Sequence, residues 1–456
     1  MSDRASRAVA VLVALLAIVL VTAAAAFGGA TDSLGRAALT LGVTGLWALA
    51  VVAIRPSPHL ALPRGPSRAQ ALVLSMAGFA LLCALPWPVA LARVLAPYAT
   101  ASREAGLGTS GGVAPSLDAG ATWTAALLLA GLVFLSAAAG SAVAVTGPLP
   151  LLRLLTVAGG LVACVALGRG RYLQGEDLMF GLRVDNPLNA YGTFPSRGQF
   201  AGFLVVLLGA AVGLGVASHR VLDRLAAGLA LGVGTAAVFA SGARAGMVGV
   251  AVLAGTAIVF GAPRGARRRR LILFAIPVLA VVALRASGWE PLVRAIPVRG
   301  DEPKRLEIWR GSLGLAVEQP MTGIGLHAFR WAYAGEGREP ADTFVAIAEN
   351  DGLQWLAEMG IVGLLLGGLF VAAVARSFAR SRPEGPTPAV PSAVALSGFA
   401  GLVPLAMTGA PLHTPAVAAA AVLAWAAAAG LVRGDDGGQG GGYRVRSKSE
   451  APWHAS

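Results

Sequence analysis

The sequence predicts an all-α fold, a polytopic membrane helix bundle of about twelve spans, and three observations carry that prediction. Hydrophobic residues make up 56% of the 456 residues, charged residues only 13%, and mean hydropathy is +0.70, too little polar surface to cover a soluble globule of this size. The apolar stretches run about 17 to 25 residues, the length a helix needs to cross roughly 30 Å of hydrocarbon. They are continuous Ala/Leu/Val runs without period-two alternation, which excludes a β-barrel, the other structure that satisfies its backbone in lipid.

In chain order the spans are expected near residues 8 to 27, 37 to 54, 69 to 91, 122 to 146, 150 to 167, 200 to 217, 225 to 240, 246 to 262, 271 to 284, 353 to 375, 389 to 408 and 414 to 432. The first follows Arg4 and Arg7 and ends in Ala23 to Ala26, so it has the look of a secretory leader. It is read as a retained span, because its removal would leave an odd number of crossings. Pro86 and Pro88 interrupt the third span, and the seventh is short. Residues 1–284 thus hold spans one to nine, 285–352 a large extracytoplasmic loop, and 353–432 spans ten to twelve. Residues 433–456, with glycines clustered from Gly437 to Gly442, form a low-complexity cytoplasmic tail expected to be disordered.

Charge tests this count independently. With Met1 in the cytoplasm and sides alternating, the inside holds 20 of the 36 Lys+Arg and 6 of the 23 Asp+Glu, and the outside 16 and 17. The bias recurs in single loops at Arg55/Arg64/Arg68, Arg220/Arg224, Arg264 with Arg267 to Arg270, and Arg376/Arg380/Arg382, as positive residues stay on the insertion side. Both termini are therefore expected in the cytoplasm. The formal charge of +13 belongs to loops that touch anionic headgroups, so membrane lipids are implied as partners and nucleic acid is not. Cys83 and Cys164 fall in apolar segments and offer neither a disulfide framework nor a CxxC metal site.

The large loop carries the chemistry-bearing residues. Asp301, Glu302 and Pro303 predict a helix start, and Leu306, Trp309, Leu313 and Val317 recur at helical spacing up to Pro320. This amphipathic helix has an apolar stripe suited to the membrane surface or to the bundle. Gly323 and Gly325 permit a close-approach turn, and Asn350 with Asp351 can cap the tenth span. Gln354 and Glu358 then enter the apolar segment, where a carboxylate requires a cation or a wet cavity; Arg305 and Arg244 are the expected partners. Arg244 lies in SGARAG (Ser241 to Gly246), and Arg197 in GTFPSRGQFAGF (Gly192 to Phe203). Three guanidinium groups, Arg197, Arg244 and Arg305, on one face would suit a lipid diphosphate through forked, charge-assisted hydrogen bonds. The competing reading is that each neutralises a neighbouring acid.

Arg305 with Trp309, then Pro320, Gly323, Gly325 and Phe329, then Asn350 through Gln354 and Glu358 to Gly360, resemble the O-antigen ligase and O-antigen polymerase family of bacterial envelopes. SGARAG, the Gly192–Phe203 segment and the placement of the large loop are similar to that family as well. The resemblance, over roughly residues 190 to 375, implies a glycosyltransferase that moves a glycan from an undecaprenyl diphosphate donor to a lipid-anchored or glycan acceptor on the outer face. It also implies diphosphate binding by Arg244 and Arg305, with Arg197 as a third candidate, and no metal or other cofactor, the cations stabilising the leaving group. Trp309, Asn350, Gln354 and Glu358 are supporting residues on this reading.

The chain departs from the family where a histidine usually stands at or beside the asparagine, since Val345 to Asp351 reads VAIAEND. An inverting transfer needs a base opposite the departing diphosphate. Glu349, provided burial lifts its pKa, is the first candidate, with Asp351 beside it and His327 the alternative. Ligase and polymerase differ only in the acceptor and are not separated by the sequence. A lipid-linked oligosaccharide transporter and a non-catalytic lipid-linked glycan sensor are the competing classes; the sequence shows little of the mid-membrane charge or internal pseudo-symmetry of a transporter.

Overall fold

The computed structural model describes residues 3–31, 33–53, 67–106, 111–172, 178–179, 182–183, 189–261, 301–335, 345–380 and 395–436. The helices, in chain order, are α1 (Asp3–Ala26), α2 (Ser33–Ala53), α3 (Arg68–Ala84), α4 (Val89–Leu95), α5 (Pro97–Gly106), α6 (Ala119–Thr146), α7 (Leu149–Tyr172), α8 (Arg197–Ala217), α9 (Val221–Ala240), α10 (Arg244–Gly261), α11 (Asp301–Glu318), α12 (Phe329–Gly335), α13 (Asp351–Arg380), α14 (Ser397–Thr408) and α15 (Pro415–Asp436). A minimal antiparallel pair, Leu178–Met179 with Leu182–Arg183, leaves the all-α class unchanged.

Seven helices, α1, α2, α6, α7, α8, α9 and α13, are long and apolar enough to cross a membrane, and α3, α10, α14 and α15 are shorter apolar helices. Each coincides with an expected span. The expected ninth span, 271–284, lies outside the described residues, as do Arg267 to Arg270 and the tail from residue 437. The third span is shorter than its apolar run suggests, because Pro86 and Pro88 lack an N–H. Helix α3 stops at Ala84, and Trp87 exchanges two backbone hydrogen bonds with Val113 instead.

Helix α8 is the centre of the bundle. It is apolar all round, and from Phe200 to Leu214 nearly every residue is buried. Lipid tails are as apolar as leucine, so close approach rather than water exclusion holds such helices together. A Cβ at Gly209 would lie 2.6 Å from the Gly398 backbone on α14, and one at Gly249 on α10 would lie 2.5 Å from the Gly401 carbonyl. At one end of the bundle Arg153 of α7 makes two hydrogen bonds, 2.9 and 2.8 Å, to the Asp223 carboxylate of α9, which also accepts from the Ser218 hydroxyl. At the other end, Gly29 packs against Thr414 and Phe194, and Gly202 against Pro411, so the turns leading into α2, α8 and α15 meet there.

The described part of the large loop stands on this second end. Helix α11 begins at Asp301 as expected. Its buried face is Ser312, Leu315 and Ala316, and Gly311 lies against the Tyr333 ring of α12. The predicted stripe faces the other way: Leu306, Leu313 and Val317 are all exposed, Val317 at 76%. Of the two placements expected for that stripe, packing on the bundle is therefore not the one adopted among the described residues. Asp118 caps α6 through the Ala121 N–H and accepts from the Trp331 indole at 3.0 Å, tying α12 to the bundle.

Candidate functional site

The site is organised by a kink inside α13. Gly360 has φ 61°, a left-handed value that breaks the helical hydrogen-bond ladder within an apolar segment. Backbone groups freed in lipid must find partners. The turn after α11 supplies them: Ile324 N–H donates to the Ala357 carbonyl (3.0 Å), Gly325 N–H to the Glu358 carbonyl (2.9 Å), and Ile361 N–H to the Pro320 carbonyl (2.8 Å). Contact this close excludes side chains. A Cβ at Gly323 would lie 2.4 Å from the Glu358–Met359 backbone, at Gly360 2.6 Å from the Pro320 and Met321 carbonyls, and at Gly325 2.1 Å from Ser116. The Gln319 side chain fastens the turn, its Oε1 accepting from Ala99 N–H (2.9 Å) and its Nε2 donating to the Pro115 carbonyl (2.8 Å).

The start of α13 is equally constrained. Asn350 caps it, accepting from Leu353 N–H at 3.1 Å and donating to the Met407 carbonyl at 3.0 Å. Gln354 accepts from Ala348 N–H and donates to Glu358 Oε1 at 2.7 Å. Glu349 (φ 54°) and His327 (φ 63°) hold left-handed conformations unusual for residues with a Cβ, a form of strain that collects at functional sites.

Between these elements sits a residue that sequence reasoning missed. His413, in the short 3-10 turn Pro411–His413 between α14 and α15, places Nδ1 2.8 Å from Asp351 Oδ1 and Nε2 3.5 Å from Glu358 Oε2. Asp351 Oδ2 accepts from Leu412 N–H at 3.2 Å. The expected cationic partner of Glu358, Arg305 or Arg244, is thus replaced by His413. The Glu358 side chain is 1% exposed and that of His413 8%, and neither Glu358 Oε2 nor His413 Nε2 has an aligned hydrogen-bond partner among the described residues. The His327 and Trp355 rings lie 5.9 and 5.6 Å from that of His413. A cavity of about 30 Å³ adjoins them, lined by His327, Trp355 and His413 and otherwise by apolar residues of α6, α15 and the turns.

Burial opposes the charged form of His413, but the hydrogen bond to Asp351 and the nearby Glu358 carboxylate prevail and push its pKa up to about 10. His327 moves oppositely, down to about 4, because burial outweighs Glu358, with His413, Arg36 and Arg330 adding repulsion. The signal available in the sequence was the demand itself: a buried Glu358 needs a cation, and His413 is a titratable residue in a short turn at the same end.

The predicted arginines divide. Arg305 pairs with Glu349 at 3.3 Å, with side chains 38% and 29% exposed, so Glu349 lacks the burial its role as base required. Arg197 and Arg244 begin α8 and α10, which touch where a Cβ at Gly246 would lie 2.5 Å from that of Ala201, one turn beyond Arg197. Both therefore stand at the His413 end, and among the described residues neither has an ion-pair partner. Trp309 is half-buried, its indole nitrogen without a hydrogen-bond partner among the described residues.

No curated protein matches the chain. Residues 227–367 match the family model described as O-antigen ligase, a stretch that holds Arg244, Arg305, the glycine-locked turn and the start of α13 but neither Arg197 nor His413. The match supports membership of this chain in the O-antigen ligase family and, at that level, an integral membrane glycosyltransferase of the ligase or polymerase kind.

Proposed function

We propose that the protein transfers a glycan from an undecaprenyl diphosphate to a lipid-anchored acceptor at the outer face of the bacterial inner membrane, with both termini in the cytoplasm. The observation that carries this reading is the placement of Arg197 and Arg244, without carboxylate partners among the described residues, at the same end of the bundle as the Arg305–Glu349 pair. A diphosphate entering there meets two guanidinium groups directly and competes with Glu349 for the third. Glu349 is then a counter-ion exchanged for substrate.

In the transfer, the acceptor oxygen bonds to the anomeric carbon as the bond from that carbon to the diphosphate breaks. The electron pair leaves on the diphosphate oxygen, where the three arginines offset the developing charge. The acceptor hydroxyl loses its proton to a base at the same end. A glycan terminus in place of the lipid-anchored acceptor would make the same chemistry a polymerisation.

The test supplies purified wild type with a polyprenyl-diphosphate-linked glycan and an acceptor glycolipid, and compares Arg197→Ala, Arg244→Ala and Arg305→Ala. A charge-assisted hydrogen bond is worth about 1.5 to 3 kcal/mol, so each variant should lose roughly 10- to 150-fold in transfer efficiency at unchanged thermal stability. Transfer undiminished in all three removes the diphosphate site.

A further inference from the structure

Two polar atoms at the heart of the site are buried together without an aligned partner among the described residues, and the Thr414 hydroxyl beside them is a third. Asp351 holds Nδ1 of His413, which leaves Nε2; Gln354 holds Oε1 of Glu358, which leaves Oε2. These two remaining atoms are 3.5 Å apart, at the limit of hydrogen bonding, and neither has an aligned partner among the described residues. An unmet buried polar group is costly, and a merely structural ion cluster would have closed it. The adjoining cavity of about 30 Å³, which His413 lines and Glu358 does not, is large enough to hold a water.

We propose that His413 and Glu358 together accept the proton released by the acceptor hydroxyl, with Asp351 and Gln354 as the positioning residues that hold the pair. This rests on the transfer reaction proposed above and names its base. The pair carries one proton, on Nε2 or on Oε2, and so presents one lone pair. As the acceptor oxygen bonds to the anomeric carbon, its proton moves to that lone pair, directly or through one water in the cavity, while the proton already on the pair stays there. The diphosphate departs with the electron pair of the broken bond, and the cluster of Asp351, Glu358 and His413 gains one positive charge. The two atoms act as a single titrating unit, faced by Asp351 on α13 and by His327 on the turn, with Arg36 and Arg330 further out.

The experiment uses the full chain in nanodiscs and measures single-turnover transfer against pH, binding of a polyprenyl diphosphate probe, and thermal melting. His413→Asn keeps a donor toward Asp351 but cannot take a proton; Glu358→Gln removes the other half. Each should bind the probe like wild type and transfer about 100-fold more slowly or worse. The acidic limb of the wild-type pH profile should be absent in both, and the double variant should be no slower than either single one, as for groups acting as a unit. Transfer by His413→Asn within about twofold of wild type with the acidic limb retained overturns the proposal and leaves the proposed function standing. A loss in His413→Asn that is accounted for by lowered melting temperature or lost probe binding, with an unchanged pH profile, also overturns it. Wild type that binds the probe and never transfers overturns the function and this inference together.

Discussion

His327 and His413 lie with ring centroids 5.9 Å apart, yet their proton affinities are driven in opposite directions. His413, raised to about 10 from an ordinary 6.5, binds a proton in the folded chain that the unfolded chain releases above 6.5. Its contribution to stability is complete below that pH and is lost as pH rises toward 10. His327, lowered to about 4, stays neutral while the unfolded chain takes up a proton below 6.5, so it withdraws stability as pH falls from 6.5 toward 4. Melting of the detergent-solubilised protein should therefore be highest near pH 6.5 and decline on both sides. His413→Asn should flatten the alkaline limb alone and His327→Asn the acidic limb alone; a melting temperature independent of pH from 6.5 to 9.5 in wild type would sink the assignment of charge to His413.

At the scale of elements, the α11–turn–α13 unit is one cooperative piece, because the kink at Gly360 and the turn from Pro320 to Gly325 satisfy each other's backbone. Gly325→Ala sets a Cβ against Ser116 at a φ of 103°, and Gly360→Ala sets one against two carbonyls. Strain of this kind costs on the order of 1 to 3 kcal/mol per position before any clash is counted. Both variants should open the turn to protease and lower transfer sharply, whereas Gly367→Ala on the same helix, with open space around its Cβ, should melt like wild type. Equal behaviour of all three would mean that the kink is not held by the turn. Three residues of this lock were legible in the sequence as Pro320, Gly323 and Gly325, since glycine beside proline signals close approach, whereas Gly360 entered only through the family resemblance. The pairing across it was not, because hydrogen bonds between residues some 35 positions apart leave no local pattern. The same limit hid His413, whose partner Asp351 is 62 residues away. The reversal of the α11 stripe has a different cause: small residues such as Gly311 and Ser312 make a packing face that hydrophobic periodicity does not register.

Over the whole molecule, apolar run length located the helices well, since a bilayer imposes one length on every span. Charge bias then supplies the orientation that packing leaves open. The Arg153–Asp223 clamp lies beside the basic turn of Arg220 and Arg224, while α2, α6, α8, α10, α13 and α15 all begin at the opposite end, with His413 and the three arginines. Positive residues stay on the insertion side, so the clamp end should face the cytoplasm and the site the exterior. With Cys83 and Cys164 replaced by alanine, a single cysteine at exposed Met321 should react with a membrane-impermeant maleimide in intact spheroplasts. One at exposed His219, two residues before α9, should react only after permeabilisation. The reverse labelling would put the arginines and His413 on the nucleotide-sugar side of the membrane, where a lipid diphosphate donor presented from outside could not reach them, and the proposed function would fall with the orientation.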